Sequence, residues 1–168
     1  MLHPVIYVFY GKGGGKTIAA LGLALRARGQ GKKVIIIQFL KGRRDTGEFK
    51  LARRAGYQIF EFGRPELIDL RHPQPLDYKL ALQGWEKAKK AKADLLILDE
   101  INLAVSAGLL PEKEVLSFLR KIPKTRDVVL TGVVVPDSFI KIADGVSEIV
   151  KIKHVFDRGI PAKRGIEY

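Results

Sequence analysis

The sequence predicts a three-layer, doubly wound α/β domain built around a mostly parallel sheet of about six strands. The length of 168 residues suits one domain of ordinary size. Short runs that are apolar at nearly every position alternate with segments of helical periodicity. Strands that are apolar on both sides need helices on both faces of the sheet, and right-handed crossovers then produce an open, doubly wound arrangement. We therefore expect a single domain over residues 1–168, with an irregular tail from about residue 154.

The first third of the chain contains three predicted strands and two predicted helices. Residues 5–10 and 34–39 are rich in β-branched and aromatic side chains, which favours buried strands. Between them, residues 17–28 are apolar nearly all round and predict a helix that Gly29 and Gly31 bring to an end. A short helix and a third strand are predicted next, over residues 47–55 and 58–62.

The alternation continues through the rest of the chain. An amphipathic helix is predicted over residues 76–92, and a fourth strand over residues 95–98 ends at Asp99-Glu100. The later elements are a helix over residues 111–120, the fifth strand over 128–131, a helix over 136–142 and the sixth strand over 148–153. Pro111 is expected at the first helical position, where the missing N–H of proline costs nothing.

The composition excludes several classes of protein. The absence of cysteine excludes a disulfide scaffold, a zinc ribbon, a Cys-ligated iron–sulfur cluster and cysteine catalysis. No apolar run approaches the roughly 18 residues of a membrane span, and the first residues lack the basic start of a signal peptide. We therefore expect a cytoplasmic protein with no membrane partner. One asparagine and one methionine among many lysines, arginines and glutamates resemble the usage of hyperthermophiles, which is a hypothesis about the source.

The charge balance favours an anionic partner. The chain has 30 Lys+Arg against 18 Asp+Glu, a net charge of +12, and a pI near 10. Nucleic acid, a polyphosphate and an acidic surface would all suit this charge. The alternative is a lysine-rich, solvated surface with no specific partner.

A glycine-rich loop lies between the first predicted strand and the first predicted helix, where a phosphate-binding loop belongs. Its residues are Gly11, Lys12, Gly13, Gly14, Gly15, Lys16 and Thr17. Glycines let backbone N–H groups turn toward phosphate oxygens, and the helix N-terminus adds partial positive charge. Lys16 is expected to reach the β- and γ-phosphates, and the Thr17 hydroxyl to bind Mg²⁺. The loop is one residue shorter than an ordinary Walker A motif because Tyr10 stands where the leading glycine would be; the alternative is a glycine-rich turn with no ligand.

The acidic pair Asp99-Glu100 follows the fourth strand as in a Walker B motif. Either carboxylate can hold Mg²⁺, and Glu100 could instead orient an attacking water, as in ATPases. Together with the loop, this pair predicts a P-loop NTPase of the RecA-like type. The alternative is a solvated strand end. Asn102, two residues later, has either a polar role at the site or a local Asx-type capping role, and the sequence leaves this open.

The chain as a whole resembles the P-loop ATP:corrinoid adenosyltransferases. The family's loop has the same shortened spacing, matched here through Gly11, Gly13, Gly15, Lys16 and Thr17. Further matches are residues 19–26, 38–42, 47–48, 98–102 and 130–132. The most specific match is the tail, with Lys153-His-x-Phe-Asp157 and Gly165-Ile-Glu-Tyr168, because ordinary P-loop ATPases lack it.

Several positions depart from the family pattern. The departures in single residues are Gly14 for a lysine, Ile18 for a threonine, Leu103 for a tyrosine, Val133 for an arginine and Lys163 for a glutamine. Residues 64–75 contain no aromatic residue, whereas some members carry an aromatic pair there that helps displace the lower ligand of cobalt. We expect these differences to affect corrinoid handling and rate rather than the fold or the nucleotide site.

The resemblance implies that cobalt(I) of a reduced corrinoid attacks C5′ of ATP and releases triphosphate. In this reading ATP is the co-substrate, cobalt enters only as part of the corrinoid, and no protein nucleophile is needed. Lys16 and Glu100 would have the catalytic roles, and Thr17, Asp99 and Glu100 would hold Mg²⁺. Lys41, with Arg43 and Arg44 after the second strand, would neutralise the triphosphate or corrinoid carboxylates; a solvated loop is the alternative.

The resemblance also suggests partners, namely an electron-donor reductase and a second copy of the chain in a homodimer. No nucleic-acid partner is expected in this reading. Two other functions stay open at this point. One is a nucleic-acid-stimulated RecA-like ATPase, which the net charge favours. The other is a catalytically silent ATP-binding regulator, which the departures at Val133 and residues 64–75 would allow.

Overall fold

The computed structural model describes residues 3–166. Within them, six strands form one parallel sheet in the order β3-β2-β4-β5-β1-β6. The strands are β1 Ile6–Tyr10, β2 Val34–Phe39, β3 Gln58–Phe62, β4 Leu95–Asp99, β5 Asp127–Gly132 and β6 Gly145–Glu148. The predicted α/β class with its doubly wound parallel sheet is thereby confirmed. One strand, β5, separates β1 from the acidic pair at the end of β4.

Helices cover both faces of the sheet. They are α1 Lys16–Gly29, α2 Gly47–Ala55, α3 Pro75–Lys89, α4 Ile101–Ser106, α5 Glu112–Leu119 and α6 Asp137–Ile142, followed by a 3₁₀ helix at Val155–Arg158. The helices α1 and α2 pack on one face through Ala20, Ala24 and Ala52. The other four helices pack on the opposite face, around the fully buried Trp85 of α3 and Phe139 of α6. No helix in residues 3–166 has the length and apolar character needed to cross a membrane.

The buried strands follow from their composition. Every residue of β2 and β4 is buried, because both strands are central and have helices on both faces. Alternate residues serve alternate faces, so Ile36 and Ile97 join the core under α1 while Ile37 and Leu98 join the larger core on the other side. Trp85 packs edge-on against Phe118 and donates its Nε1 hydrogen to Glu114 at 2.7 Å, and its complete burial makes it a core residue.

The sixth strand is the clearest error of the sequence prediction. It was expected over residues 148–153 but is formed by Gly145–Glu148, which pairs with Tyr7–Tyr10 of β1. The pairing stops there because β1 gives way to the glycine-rich loop after Tyr10. The alternation of apolar and basic residues beyond Glu148 suggested a strand, yet Val150 and Ile152 are 61% and 84% exposed.

Smaller differences concern the helices. The short helix α4 was not predicted, and Pro111 is the residue before α5 rather than its first residue. Proline does occupy the first position of α3, at Pro75, where the side chains and backbones of Gln74 and Asp77 form a capping box. The tail, expected to be irregular, contains the 3₁₀ helix. The last two residues of the tail signature, at positions 167 and 168, lie outside the described residues.

Candidate active site

The candidate site lies at the carboxyl ends of the central strands. The sheet order brings the ends of β2, β4 and β5 side by side, and the loop of residues 11–15 joins β1 to α1 next to them. Parallel α/β sheets bind their ligands at this edge, where chain reversals leave a crevice. The residues predicted from the two motifs therefore meet at one place, although Thr17 and Asp99, for example, are 82 positions apart in the sequence.

The glycine-rich loop is packed against the chain that follows β6. Gly13 donates its backbone N–H to the carbonyl oxygen of Ile149 at 2.7 Å. A Cβ atom at Gly13 would lie 2.7 Å from that same oxygen, so no larger residue fits without displacing one of the two segments. Gly11 donates its N–H to the carbonyl oxygen of Val133 at 3.2 Å. These two N–H groups thus fix the loop, and the first N–H groups of α1, which have no partner within the helix, remain to receive an anion.

Lys16, the first residue of α1, folds over this loop. Its ammonium group donates to the carbonyl oxygens of Gly11 and Gly13, at 2.8 Å each. The side chain is buried, with 9% of the residue exposed. The loop carbonyls therefore hold a full positive charge beside the helix N-terminus, which is the arrangement that binds phosphate oxygens.

Asp99 is the centre of the hydrogen-bond network at the strand ends. Its carboxylate accepts bonds from Thr17 Oγ1 at 3.0 Å, Lys41 Nζ at 2.6 Å, Gln38 Nε2 at 3.0 Å and Thr131 Oγ1 at 2.6 Å. The residue is fully buried. Burial alone would raise the pKa of Asp99, but the Lys41 charge and the donated hydrogen bonds outweigh it and hold that pKa below its ordinary value. The group is therefore a carboxylate at neutral pH.

The two partners in this ion pair shift in opposite directions. Burial by itself lowers the pKa of Lys41, but the charge and hydrogen bond of Asp99 outweigh burial and leave it above its ordinary value. Lys41 also donates to Thr17 Oγ1 at 2.9 Å. The ammonium group, the Thr17 hydroxyl and the Asp99 carboxylate thus form a closed triangle of contacts.

Comparison with known proteins agrees with this geometry. A model of the family described as ATP:corrinoid adenosyltransferase BtuR/CobO/CobP matches residues 3–168. The chain belongs to the ATP:corrinoid adenosyltransferase family. It is 36% identical over 168 residues to the corrinoid adenosyltransferase of Escherichia coli K12, covering 98% of this chain and 85% of that protein. It is 36% identical over 170 residues to the corrinoid adenosyltransferase CobA of Salmonella typhimurium, with the same coverage, and 35% identical over 173 residues to that of Pseudomonas aeruginosa, covering 98% and 83%.

Glu100 lies at the turn from β4 into α4 in this adenosyltransferase fold. Its backbone has a positive φ of 62°, which is uncommon for a residue with a side chain and places it in the left-handed region. Its N–H donates to Thr131 Oγ1 at 2.9 Å, which ties the turn to the end of β5. Burial, followed by the charge of Asp99, raises the pKa of Glu100. Its Oε2 atom is buried and has no hydrogen-bond partner in the part of the chain that the structure describes.

The donor set at this edge fits Mg²⁺. Thr17 supplies a hydroxyl oxygen, Asp99 a carboxylate, and Glu100 a buried carboxylate oxygen without a partner. Hard oxygen donors of this kind are what Mg²⁺ prefers, usually together with substrate phosphates. Among residues 3–166 there is no group of three or more His, Cys, Asp or Glu side chains that could hold a metal by itself. A metal here would therefore depend on Thr17 and on phosphate oxygens as well as on the acidic pair.

Two residues of the network were not among the predicted site residues. Gln38 is the fifth residue of β2 and Thr131 the fifth of β5, and both are fully buried. Each is a polar residue near the end of an otherwise apolar strand, at the edge where the acidic pair lies. A buried polar group needs a partner, so this pattern could have drawn attention to both.

The remaining predicted residues lie outside the Asp99 network, either on the glycine-rich loop or on the chain after β2. Lys12 and Gly14 are exposed, on the open side of the loop. The ring of His154 lies over Gly14, with Nε2 at 3.6 Å from where a Cβ of that residue would be, so the tail does reach the loop. Arg43 pairs with Asp45 at 3.0 Å, and both of these side chains are about half exposed.

Asn102 lies in α4 and is fully buried. Neither of its side-chain polar atoms has a hydrogen-bond partner within residues 3–166, so no Asx-type cap is formed there. Its Cβ atom occupies the space that the missing side chain of Gly132 leaves free. An unpartnered amide in a buried position is costly, which is typical of a group kept for a ligand.

Proposed function

We propose that this chain transfers the 5′-deoxyadenosyl group of ATP to the cobalt(I) of a reduced corrinoid and releases triphosphate, in the synthesis or salvage of adenosylated cobalamin. The observation that carries the proposal is the meeting of Lys16, Thr17 and Asp99 at one sheet edge in a member of the adenosyltransferase family. The corrinoid is a substrate, so its cobalt is not a resident cofactor of the protein.

The reaction makes limited demands on the protein. Cobalt(I) supplies the electron pair of the new cobalt–C5′ bond and is formally oxidised by two electrons. The C5′–O bond breaks, and its electron pair leaves with the triphosphate. No proton is transferred, so no general base is required. The protein must hold C5′ in line with cobalt and stabilise the negative charge that grows on the leaving triphosphate.

The residues of the loop meet the second demand. Lys16 and the first N–H groups of α1 would bind the triphosphate and stabilise its developing charge, which makes Lys16 a catalytic residue. Thr17, Asp99 and Glu100 would hold Mg²⁺, which would add positive charge beside the same oxygens. Gly11, Lys12, Gly13, Gly14 and Gly15 would form the rest of the nucleotide cradle, with Lys41 as a further cation.

A cavity of about 660 Å³ lies on the open side of the loop, between the ends of β1 and β5 and the chain after β6. Its walls include Lys12, Val133, Val134 and Val150. The lining also contains a second cation, Lys151, and two carboxylates, Asp137 and Glu148. Apolar side chains together with charged ones suit the edge of a corrin ring and its polar side chains, so we propose that the corrinoid binds on this side. The apolar Val133, a departure from the family pattern, would then contribute to this wall.

An anaerobic transfer assay tests the proposal. The protein is mixed with Mg-ATP and a chemically reduced corrinoid, and the light-sensitive adenosyl–cobalt product and free triphosphate are both measured. We expect equal amounts of the two. Lys16→Ala should lower the rate at least about 100-fold, because one charge-stabilising donor is lost. Lys92→Ala, which removes an exposed lysine far from the loop in sequence, is the matched control and should keep the full rate.

The same assay separates the other functions. Release of inorganic phosphate without adenosyl–cobalt would indicate an ATPase, and salt-sensitive stimulation by nucleic acid would then support the RecA-like alternative. Tight ATP binding with neither product would indicate a silent regulator.

The proposed function also involves an electron donor and a homodimer, and the cellular location and source of the protein are further predictions. A reductase must supply cobalt(I), so an electron-donor protein or chemical reductant is needed. For a homodimer, the exposed Ile18 and Leu25 of α1 offer an apolar surface, and sedimentation at several concentrations tests it. A cytoplasmic location and a thermophilic source stay predictions, and a melting temperature in the mesophile range of about 45–65 °C would contradict the second.

A further inference from the structure

The position of Lys41 has a consequence for metal binding. Its ammonium group lies 2.6 Å from Asp99 Oδ2 and 2.9 Å from Thr17 Oγ1. Those two oxygens are also two of the three that the donor chemistry assigns to Mg²⁺. Thr17 Oγ1 is itself within 3.0 Å of the carboxylate. A side-chain cation of the protein therefore occupies the place between the oxygens that a metal ion would need.

The backbone around Lys41 is held tightly. Leu40, just before it, has a φ of 61°, one of two positive φ values at residues other than glycine in residues 3–166. A Cβ atom at Gly63, at the end of β3, would overlap with the backbone of Leu40 and Lys41, so the exits of β2 and β3 are in direct contact. Strained backbone of this kind persists where the surrounding structure fixes it. The start of the Lys41 side chain is thus fixed, and its end is directed to Asp99.

The Asp99 carboxylate does not depend on Lys41 for its orientation. Thr131 donates to Oδ1 at 2.6 Å, and Gln38 donates to Oδ2 at 3.0 Å. Both donors are fully buried on strands β5 and β2. By contrast, the Lys41 side chain is 32% exposed, so its ammonium group has an open side along which it can turn. The carboxylate would keep its place if Lys41 turned away.

We propose that Lys41 is an internal counter-ion that excludes metal from Asp99 and Thr17 until a nucleotide triphosphate draws its ammonium group away, so that metal binding depends on the nucleotide. The inference rests on the proposed function, since it takes ATP as the nucleotide and the acidic edge as the metal site. Two cations cannot share these oxygens, because their like charges would lie within a few ångströms of each other in a buried site. The triphosphate offers Lys41 a replacement anion while the freed oxygens become available to Mg²⁺.

A metal titration without nucleotide tests the proposal. Binding of Mn²⁺, used alone as the probe, is measured by electron paramagnetic resonance for the unsubstituted chain and for Lys41→Gln, Lys41→Arg and Lys92→Gln. We expect Lys41→Gln to bind Mn²⁺ at least tenfold more tightly than the unsubstituted chain. Lys41→Arg keeps the cation and should bind as weakly as the unsubstituted chain. Lys92→Gln removes one exposed positive charge elsewhere and should have no effect. A gain smaller than tenfold in Lys41→Gln overturns the proposal.

A thermal measurement covers the case in which Lys41→Gln is poorly folded. Loss of Lys41 leaves the buried Asp99 charge without its counter-ion, so the melting temperature of Lys41→Gln in EDTA should fall. Addition of Mg²⁺ alone should restore it, because the metal replaces the missing cation, whereas the unsubstituted chain should not respond. If Lys41→Gln yields no folded protein, Lys41→Met replaces it with the same tenfold criterion. Binding of Mn²⁺ alone to the unsubstituted chain tighter than about 1 mM also overturns the proposal.

These measurements contain no corrinoid, so they separate the two proposals. Failure of adenosyl transfer with the expected metal behaviour would remove the proposed function and leave the role of Lys41 in place. Normal transfer with equal Mn²⁺ affinity in the unsubstituted chain and Lys41→Gln would overturn the role of Lys41 and leave the proposed function in place.

Discussion

The Asp99 network and the chain after β6 border the same loop but are built in opposite ways. At the network, a fully buried carboxylate accepts hydrogen bonds from four side chains on four different segments. After β6, Val150, Ile152 and Phe156 are all more than half exposed. That segment contacts the loop through a backbone hydrogen bond from Gly13 to Ile149 and through the ring of His154.

The difference indicates that the triphosphate side of the site is preorganised before the ligand binds, whereas the corrinoid side is not. Polar groups fixed before the ligand arrives need no reorganisation when charge develops, which suits the triphosphate side. Exposed apolar side chains contribute little to stability, and a cluster of them beside a cavity is typical of a surface that a ligand or partner covers. Substitutions in the network should therefore affect stability and rate together, whereas substitutions after β6 should affect substrate binding alone.

The largest expected effect is that of Asp99→Asn. The substitution keeps the shape but removes the charge that balances the partly buried Lys41 ammonium. Loss of one partner of a buried ion pair should lower the free energy of unfolding by about 3–5 kcal/mol. The rate of adenosyl transfer should fall by more than about 100-fold, because the leaving triphosphate loses charge stabilisation. Urea unfolding and the anaerobic assay measure the two effects.

Asp45→Asn is the control for that substitution. Asp45 forms an ion pair with Arg43, but both side chains are about half exposed, so the cost should stay below about 1 kcal/mol. Equal losses of stability in Asp99→Asn and Asp45→Asn would contradict the contrast between the buried network and the surface.

The second prediction breaks the contact between the two regions. Gly13→Ala places a Cβ atom 2.7 Å from the carbonyl oxygen of Ile149, so the loop or the chain after β6 must move. We expect a loss of about 1–3 kcal/mol in stability and at least tenfold weaker ATP binding. Gly22→Ala is the matched control, because a Cβ atom at this glycine of α1 would meet nothing within 4 Å. Calorimetric titration with ATP that gave the same affinity for both variants would rule out this role of the contact.

The sequence predicts the buried strands that lead to the Asp99 network more accurately than the exposed chain after β6. The bounds of β2 and β3 were predicted to the residue, and those of β1, β4 and β5 within a residue at each end, because buried parallel strands are apolar throughout and glycines or prolines interrupt them. The sixth strand was misplaced, since exposed apolar residues after Glu148 alternate with lysines as in a half-buried strand. The pattern reports which residues are apolar but not whether a neighbouring strand is present.

The sequence predicted the motif residues of the candidate site but not all of the side-chain contacts between them. The proximity of Thr17 to Asp99 follows from the rule that both follow parallel strands at one edge. The role of Thr131 did not follow, because the family match over residues 130–132 does not show that its hydroxyl group bonds Asp99. The contact of Lys41 with Asp99 depends on the positive φ of Leu40, which no local pattern in the sequence reveals.

The third prediction concerns the exposed region alone. Ile152 is 84% exposed, so Ile152→Asp should change the melting temperature by no more than about 1 °C. Because this segment borders the cavity proposed for the corrinoid, a charge there should raise the KM for the corrinoid about tenfold and leave the KM for ATP unchanged. Leu82→Asp, at a half-exposed apolar residue of α3 that does not line the cavity, is the control. A rise in the KM for ATP would show that the two regions are not separate.

The smallest expected effect concerns Glu61, which, like Glu100, has a buried carboxylate oxygen without a partner among residues 3–166. Glu61, in β3, has both carboxylate oxygens buried without a partner among the described residues. Burial, followed by the charge of Glu48, raises its pKa above the ordinary value of 4.5, with Arg44 and Lys41 opposing the shift. The folded state therefore holds this proton more tightly than the unfolded state, so stability falls as the pH rises from about 4.5 through the pKa of the folded protein.

Glu61→Gln removes this dependence, because the amide carries no charge at any pH. Its melting temperature should equal that of the unsubstituted chain near pH 4 and exceed it by about 2 °C near pH 7, with calorimetry across this range as the measurement. Glu66→Gln, on the exposed loop after β3, removes the same charge at the surface and is the control. A difference for Glu61→Gln that stays constant from pH 4 to pH 8 would mean that folding does not shift the pKa of Glu61, which would contradict the prediction.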